Sequence, residues 1–180
     1  MLSVYFKLFI NLIVNGFRKL RYGKRFECSW LERFSWSSSI RLYKCGSCHL
    51  GRNVELGPRT EVFVLGNGKL KIGRSTYMNS CCMISCHGNV SIGENCLFGP
   101  SVKIFDNNHR FSREKGVSTE LSIGEITIGD NCWIASNVVL LKGAVIGDNC
   151  VIGAGCVINS KIPPGSVVKQ NQCQIVEEIR

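Results

Sequence analysis

What this sequence lacks narrows it before any motif is read. Its one long apolar segment, near the N-terminus, is interrupted by Lys7 and falls short of the roughly 20 residues that cross a bilayer. No positively charged stretch precedes it and no clear small-residue cleavage site follows, so a secretory leader is not expected. Histidine is scarce: only His49, His87 and His109 are present, and the 22-residue step between the last two leaves no closely spaced pair for a metal centre. Among the first 52 residues only Glu27 and Glu32 are acidic, against ten Lys and Arg. No RNA- or DNA-binding motif accompanies that basic segment, so nucleic acid is not an expected partner.

The 180 residues are enough for one domain with short flanking pieces, and a 44% hydrophobic content is enough for a core. The net charge of +9 is lopsided: residues 1–52 carry +8 and the remainder is nearly neutral. A basic lead-in of this kind favours an anionic surface such as a membrane. Eleven cysteines would suit a secreted disulfide framework, but without a leader they read as reduced thiols of a cytoplasmic protein. Cys45-x-x-Cys48 is half of a zinc site with no second pair beside it, so no metal is expected.

The organising feature is a six-residue repeat. From residue 128 the chain reads Ile128-Gly-Asp-Asn-Cys-Trp, Ile134-Ala-Ser-Asn-Val-Val, Leu140-Leu-Lys-Gly-Ala-Val, Ile146-Gly-Asp-Asn-Cys-Val, Ile152-Gly-Ala-Gly-Cys-Val and Ile158-Asn-Ser-Lys-Ile-Pro. Upstream the same frame fits Ile72, Met78, Ile84, Ile92 and Phe98, with a two-residue slip at Val90-Ser91, and reaches back to Leu50 and Leu56. A short strand and a tight turn take about six residues, and three such units close a triangular coil that stacks on the next. The opening aliphatic residue and the small fifth residue point inward. Gly and Asn at the second and fourth places suit turns that need positive φ. Residues 62–71 read as a bulged or looped coil.

The frame is lost from Phe105 to Glu125, a charged stretch that holds Asp106-Asn-Asn-His109, and a long loop breaking a regular solenoid is a functional candidate. The expected organisation is therefore a lead-in at 1–49, a β-helix at 50–168 with an insertion at 105–125, and a tail at 169–180. Residues 1–20 form an amphipathic helical pattern, with Leu2, Tyr5, Phe6, Phe9, Ile10, Leu12, Ile13, Phe17 and Leu20 recurring at three- and four-residue steps and Ser3, Lys7, Asn11, Asn15 and Arg18 making the polar stripe. Such a helix either plugs the open first coil or, through residues 1–25, makes peripheral contact with the inner face of a membrane.

The chain resembles the hexapeptide-repeat acetyltransferases, in the group acting on galactosides, maltose and capsular polysaccharides, from about Leu70 to Val168. The pieces that carry the likeness are Ile92-Gly-Glu-Asn-Cys, the Asp-Asn-Asn-His109 entry, Ile126-Thr-Ile-Gly-Asp-Asn-Cys-Trp-Ile, Val151-Ile-Gly-Ala-Gly and Ile162-Pro-Pro-Gly-Ser-Val-Val. The resemblance implies an all-β, left-handed parallel β-helix, a homotrimer, and direct transfer of acetyl from acetyl-CoA to a hydroxyl of a bacterial surface saccharide or its precursor. It also implies that His109 is the general base, a task suited to imidazole near neutral pH, and that Asn79 contacts acceptor or reacting groups. Asp106 is a candidate to orient His109. Trp133, Ser136, Ala154 and Ser160 match positions lining the pantetheine arm, and Lys142 and Lys161 are candidate phosphate partners. Some trimeric β-helices resembling carbonic anhydrases bind zinc through three histidines, which this chain does not space accordingly. The 169–174 stretch departs from the family's usual nucleotide-touching segment. The rival readings are N-acetylation of an amino-sugar nucleotide and a non-catalytic scaffold that has lost CoA binding.

Overall fold

The computed structural model describes residues 2–29 and 32–170, with side chains of the first helix from Phe9 onward. The side chains of Leu2, Ser3 and Lys7, and residues 171–180 of the expected tail, lie outside the described residues. After helix α1 (Leu2–Tyr22) and a 3-10 turn (Gly23–Arg25), short parallel strands stack into three sheets of seven, seven and six strands. The first sheet runs from Phe26–Glu27 to Lys161–Ile162, the second from Arg33–Phe34 to Val167–Val168, and the third from Ser39–Leu42 to Val157–Ile158. Each strand pairs with its equivalent in the neighbouring coils, so the molecule is the expected parallel β-solenoid, with about six turns. The first corner joins the first sheet to the second, the second corner joins the second to the third, and the third corner returns to the first.

The repeat explains the interior. Ile128, Ile134, Leu140, Ile146, Ile152 and Ile158 are buried, as are the fifth-place residues Cys132, Val138, Ala144, Cys150 and Cys156. A thiol at that place acts as a small hydrophobe and still closes a weak bond. The S–H of Cys96, Cys132 and Cys150 donates to the carbonyls of Gly129, Gly147 and Pro163, each at 3.1 Å. The turn residues divide their work differently from the expectation. Fourth-place Asn95, Asn131 and Asn149 do take the left-handed region, with φ of 55°, 56° and 58°. Second-place Gly93 does not. It is needed for space, because a Cβ there would stand 2.4 Å from Asp130 Oδ1 and 2.5 Å from the Gly129 carbonyl oxygen of the next coil.

Two expectations about the upstream half are corrected. The solenoid starts at Phe26, not at residue 50, and residues 62–71 form ordinary strands, Glu61–Val64 and Lys69–Ile72, joined by a tight corner. The reason is coil length. Register partners lie 22 residues apart in the first coils (Phe26 with Cys48, Cys48 with Leu70), then 20 (Leu70 with Val90), 18 (Thr127 with Val145) and 16 (Val145 with Lys161). A frame of sixes fits only coils of 18, so four-residue strands upstream shift it out of phase.

Helix α1 packs on the first-coil strands Phe26–Glu27 and Arg33–Phe34. Asn11 Nδ2 donates to the Phe34 carbonyl at 2.9 Å, Arg18 donates to Asn15 Oδ1 at 3.0 Å, and the Arg18 guanidinium lies 5.5 Å over the Phe34 ring. The helix therefore packs across the first coil with Asn11, Asn15 and Arg18 of its polar stripe inward. A solenoid end is a row of unpaired backbone groups as well as an apolar core; the Asn11 amide satisfies one of the former, while the buried Asn15 Nδ2 has no partner among the described residues.

The insertion is an ordered hairpin. Strand Asn107–Ser112 pairs antiparallel with Gly116–Ile123, and Val90 pairs with Ile126 as if nothing intervened.

Candidate active site

The hairpin leaves the solenoid at the third corner, and Asp106 holds its base closed. The Asp106 carboxylate is fully buried and accepts the His87 N–H at 2.9 Å, the Gly88 N–H at 2.7 Å and Asn107 Nδ2 at 3.1 Å. The Gly124 N–H donates to the Asp106 carbonyl at 2.8 Å, which clamps the chain where it returns. The expectation that Asp106 orients His109 is corrected. Its oxygens are aimed inward at backbone N–H groups, and no hydrogen bond joins it to His109 among the described residues.

His109 stands on the outgoing strand opposite Leu121, next to an irregularity in register between His109 and Phe111. Such irregularities re-aim side chains. The ring is exposed, and its Nδ1 lies 3.0 Å from the Ser118 carbonyl oxygen of the returning strand. A carbonyl only accepts, so Nδ1 carries the hydrogen of this contact, and in a neutral imidazole so held the lone pair is on Nε2. The returning strand is tied to the next coil by Lys142, whose Nζ donates to Ser122 Oγ at 2.7 Å. Neither Ser118 nor Ser122 carries a motif, and only the hairpin's pairing could have singled them out.

The remaining candidates fall on two different edges of the prism. Asn79 lies at the second corner, half-buried, with its Oδ1 accepting the Ser80 N–H at 2.7 Å. Ser136 and Ala154 occupy the same corner in later coils, where the Gly155 N–H donates to the Ser136 carbonyl at 3.0 Å. Trp133 opens a second-sheet strand with its indole 54% exposed. It continues an outward apolar stripe of Tyr77, Leu97, Val151 and Val167, which the period-2 alternation of short strands would have disclosed. Lys142 and Ser160 lie at the third corner with His109, and Lys161 opens the last strand of the first sheet. One chain thus brings His109, Lys142 and Ser160 to the third corner, with Lys161 just past it on the first sheet, and Asn79, Ser136 and Ala154 to the second corner, with Trp133 on the sheet that leads into it.

Among the described residues no group of three or more His, Cys, Asp or Glu is placed to hold a metal. Burial, and then the Asp106 carboxylate, push the Cys86 thiol up to about 12, so it stays protonated and unreactive.

With this geometry in hand, comparison places the chain. Residues 125–160 match the model of the bacterial transferase hexapeptide (six repeats), and residues 89–102 match that of the hexapeptide repeat of succinyl-transferase. The chain is 36% identical over 130 residues to galactoside O-acetyltransferase of Escherichia coli, covering 72% of this chain and 63%, just under two thirds, of that one. It is 31% identical over 131 residues to a putative acetyltransferase of Saccharomyces cerevisiae, covering 69% of this chain and 67% of that one. A solved galactoside acetyltransferase in complex with coenzyme A superposes with a TM-score of 0.61 at 36% identity, covering 73% of this chain and 64% of the other.

Proposed function

Because this chain belongs to the hexapeptide-repeat acetyltransferase family, we propose that it moves acetyl from acetyl-CoA to a saccharide hydroxyl, with His109 as general base. The observation that carries the reading is the His109 ring, exposed on a braced hairpin, with Nδ1–H donating to the Ser118 carbonyl and Nε2 free to take a proton. Support for the co-substrate and for the acceptor class comes from the similar galactoside enzyme and from its solved complex with coenzyme A.

In the proposed reaction the acceptor O–H gives its proton to Nε2 as its oxygen attacks the thioester carbonyl carbon. The tetrahedral adduct collapses, the C–S bond breaks, and the coenzyme A thiolate takes the proton back from the imidazolium. The acetyl group never rests on the protein, in keeping with the Cys86 thiol beside the base of the hairpin, which is buried and stays protonated. The apolar stripe around Trp133 suits the pantetheine arm. Lys161 is assigned to phosphate, and Lys142 combines that role with its hold on Ser122.

The two separated edges give a reason for assembly. In a homotrimer, the third corner of one subunit meets the second corner of its neighbour, and each groove then holds His109 from one chain and Asn79, Trp133, Ser136 and Ala154 from the next. The acceptor is a hydroxyl of a bacterial surface polysaccharide or its precursor, met on the cytoplasmic face, with residues 1–25 at the membrane.

The deciding experiment is His109→Ala, assayed for transfer and titrated with coenzyme A. Loss of the base lowers kcat by ~10²–10⁴-fold while coenzyme A still binds. Unchanged turnover removes His109 from the role. Absence of coenzyme A binding by the wild-type trimer supports a scaffold instead.

A further inference from the structure

We propose that helix α1 docks the first-coil end of the solenoid onto the surface of an anionic lipid bilayer. The helix is mounted inside out. Asn11, Asn15 and Arg18 face the coil, and Phe9, Ile13, Phe17 and Leu20, spaced by four, four and three residues, are 59%, 45%, 68% and 83% exposed. Residues two apart on a helix are about 200° apart around its axis, so this apolar ladder points away from the protein. Val14 widens it. Soluble proteins rarely leave a continuous apolar strip of this kind uncovered. The contacts that seat the helix, Asn11 on the Phe34 carbonyl and the Arg18 guanidinium over the Phe34 ring, hold it with this strip outward.

The surroundings select the occupant. Arg21, Lys24, Arg41 and Lys44 are exposed on the helix end and first coil, and so are the aromatics Trp36, at 89%, and Tyr43. Tryptophan and tyrosine with Lys and Arg are the side chains that settle at the headgroup level of a bilayer. Two acidic residues of this region stand against these cations: Glu27, exposed and hydrogen-bonded to His49 at 2.8 Å, and Glu32, which is buried, so the basic side chains outnumber exposed acidic ones here. A second copy of the chain on this face would bring the same basic rim against itself, whereas anionic phosphates complement it. No described helix is long and apolar enough to cross a membrane, so α1 lies in the plane of the interface. The docking does not depend on the acetyl-transfer reading.

The test is flotation of the purified full chain with vesicles of phosphatidylcholine, with and without phosphatidylglycerol. The wild type floats with the anionic vesicles and far less with the neutral ones, and added salt releases it. Phe17→Glu or Leu20→Glu weakens partitioning by about tenfold or more, and Lys24→Glu with Arg41→Glu removes the preference for anionic lipid. Because these side chains are exposed, thermal unfolding of the variants matches the wild type, and transfer to a soluble acceptor is unchanged. Absence of flotation, or flotation indifferent to Phe17→Glu, overturns the proposal. Concentration-dependent association without vesicles that Phe17→Glu abolishes, with no flotation, overturns it in favour of a second copy.

Discussion

Glu32 shows how a single side chain records its surroundings. It is fully buried at the first corner of the first coil, with Oε2 accepting the Val54 N–H at 2.6 Å and Oε1 without a partner among the described residues. Burial outweighs the backbone N–H groups and pushes its carboxyl up to about 7, from an ordinary 4.5. The folded state thus holds this proton more tightly than the unfolded chain. The stability it contributes is fully present below about pH 4.5 and is lost as pH rises through about 7. Thermal melts of the wild type and of Glu32→Gln are expected to diverge between pH 5 and pH 8, with the wild type losing on the order of 1–3 kcal/mol relative to the variant. A constant difference across that range would sink the assignment. His109 and Asp106 make the opposite contrast. The sequence singled out both from one motif, Asp-Asn-Asn-His, yet one is a buried brace and the other an exposed ring. Adjacent positions in a motif say nothing about which way each side chain turns once the strand pairs.

At the scale of elements, the coil is governed by close approach at its corners. Gly93→Ala would set a methyl group 2.4 Å from Asp130 Oδ1 and 2.5 Å from a backbone oxygen, so the coils must part there. Overpacking of this kind costs about 1–3 kcal/mol, to be read as a lower denaturant midpoint. Substitution at Gly66, where a Cβ meets nothing within 4 Å, carries only the strain of its φ of 60°. The strands were legible wherever coils keep to 18 residues, and illegible where they lengthen to 22, because the six-residue frame is a period and an added pair of residues shifts its phase. The insertion was located to within two residues at each end, but its antiparallel pairing was not: Val117, Thr119, Leu121 and Ile123 alternate with Ser118, Glu120 and Ser122 in the returning strand, whereas the outgoing strand Asn107–Ser112 has no such alternation. The amphipathic helix was legible too, and its orientation was not. Hydrophobic periodicity identifies two faces without saying which one meets the protein, and here the Asn11 amide meets a backbone carbonyl of the first coil.

For the whole molecule, the sharpest test concerns assembly. If each site draws on two chains, then His109→Ala trimers and Asn79→Ala trimers, each impaired, regain transfer when unfolded together and refolded as mixed trimers. One groove in such a trimer can then receive both native residues. Recovery absent from mixed trimers, with each parent variant folded, would place the two residues in one chain's own site and contradict the split between edges. The sequence by itself determined the repeat, the inward columns of aliphatic and small residues, the position of the insertion and the family, because all of these follow from local period and local composition. Tertiary structure alone decided that the coil begins at Phe26, that Asp106 braces while His109 presents Nε2, that the candidate site residues lie on two edges, and that α1 wears its apolar face outward. Those outcomes depend on which backbone groups a neighbouring coil leaves unpaired and on how many residues separate one edge from the next, and both are set only when the coils stack.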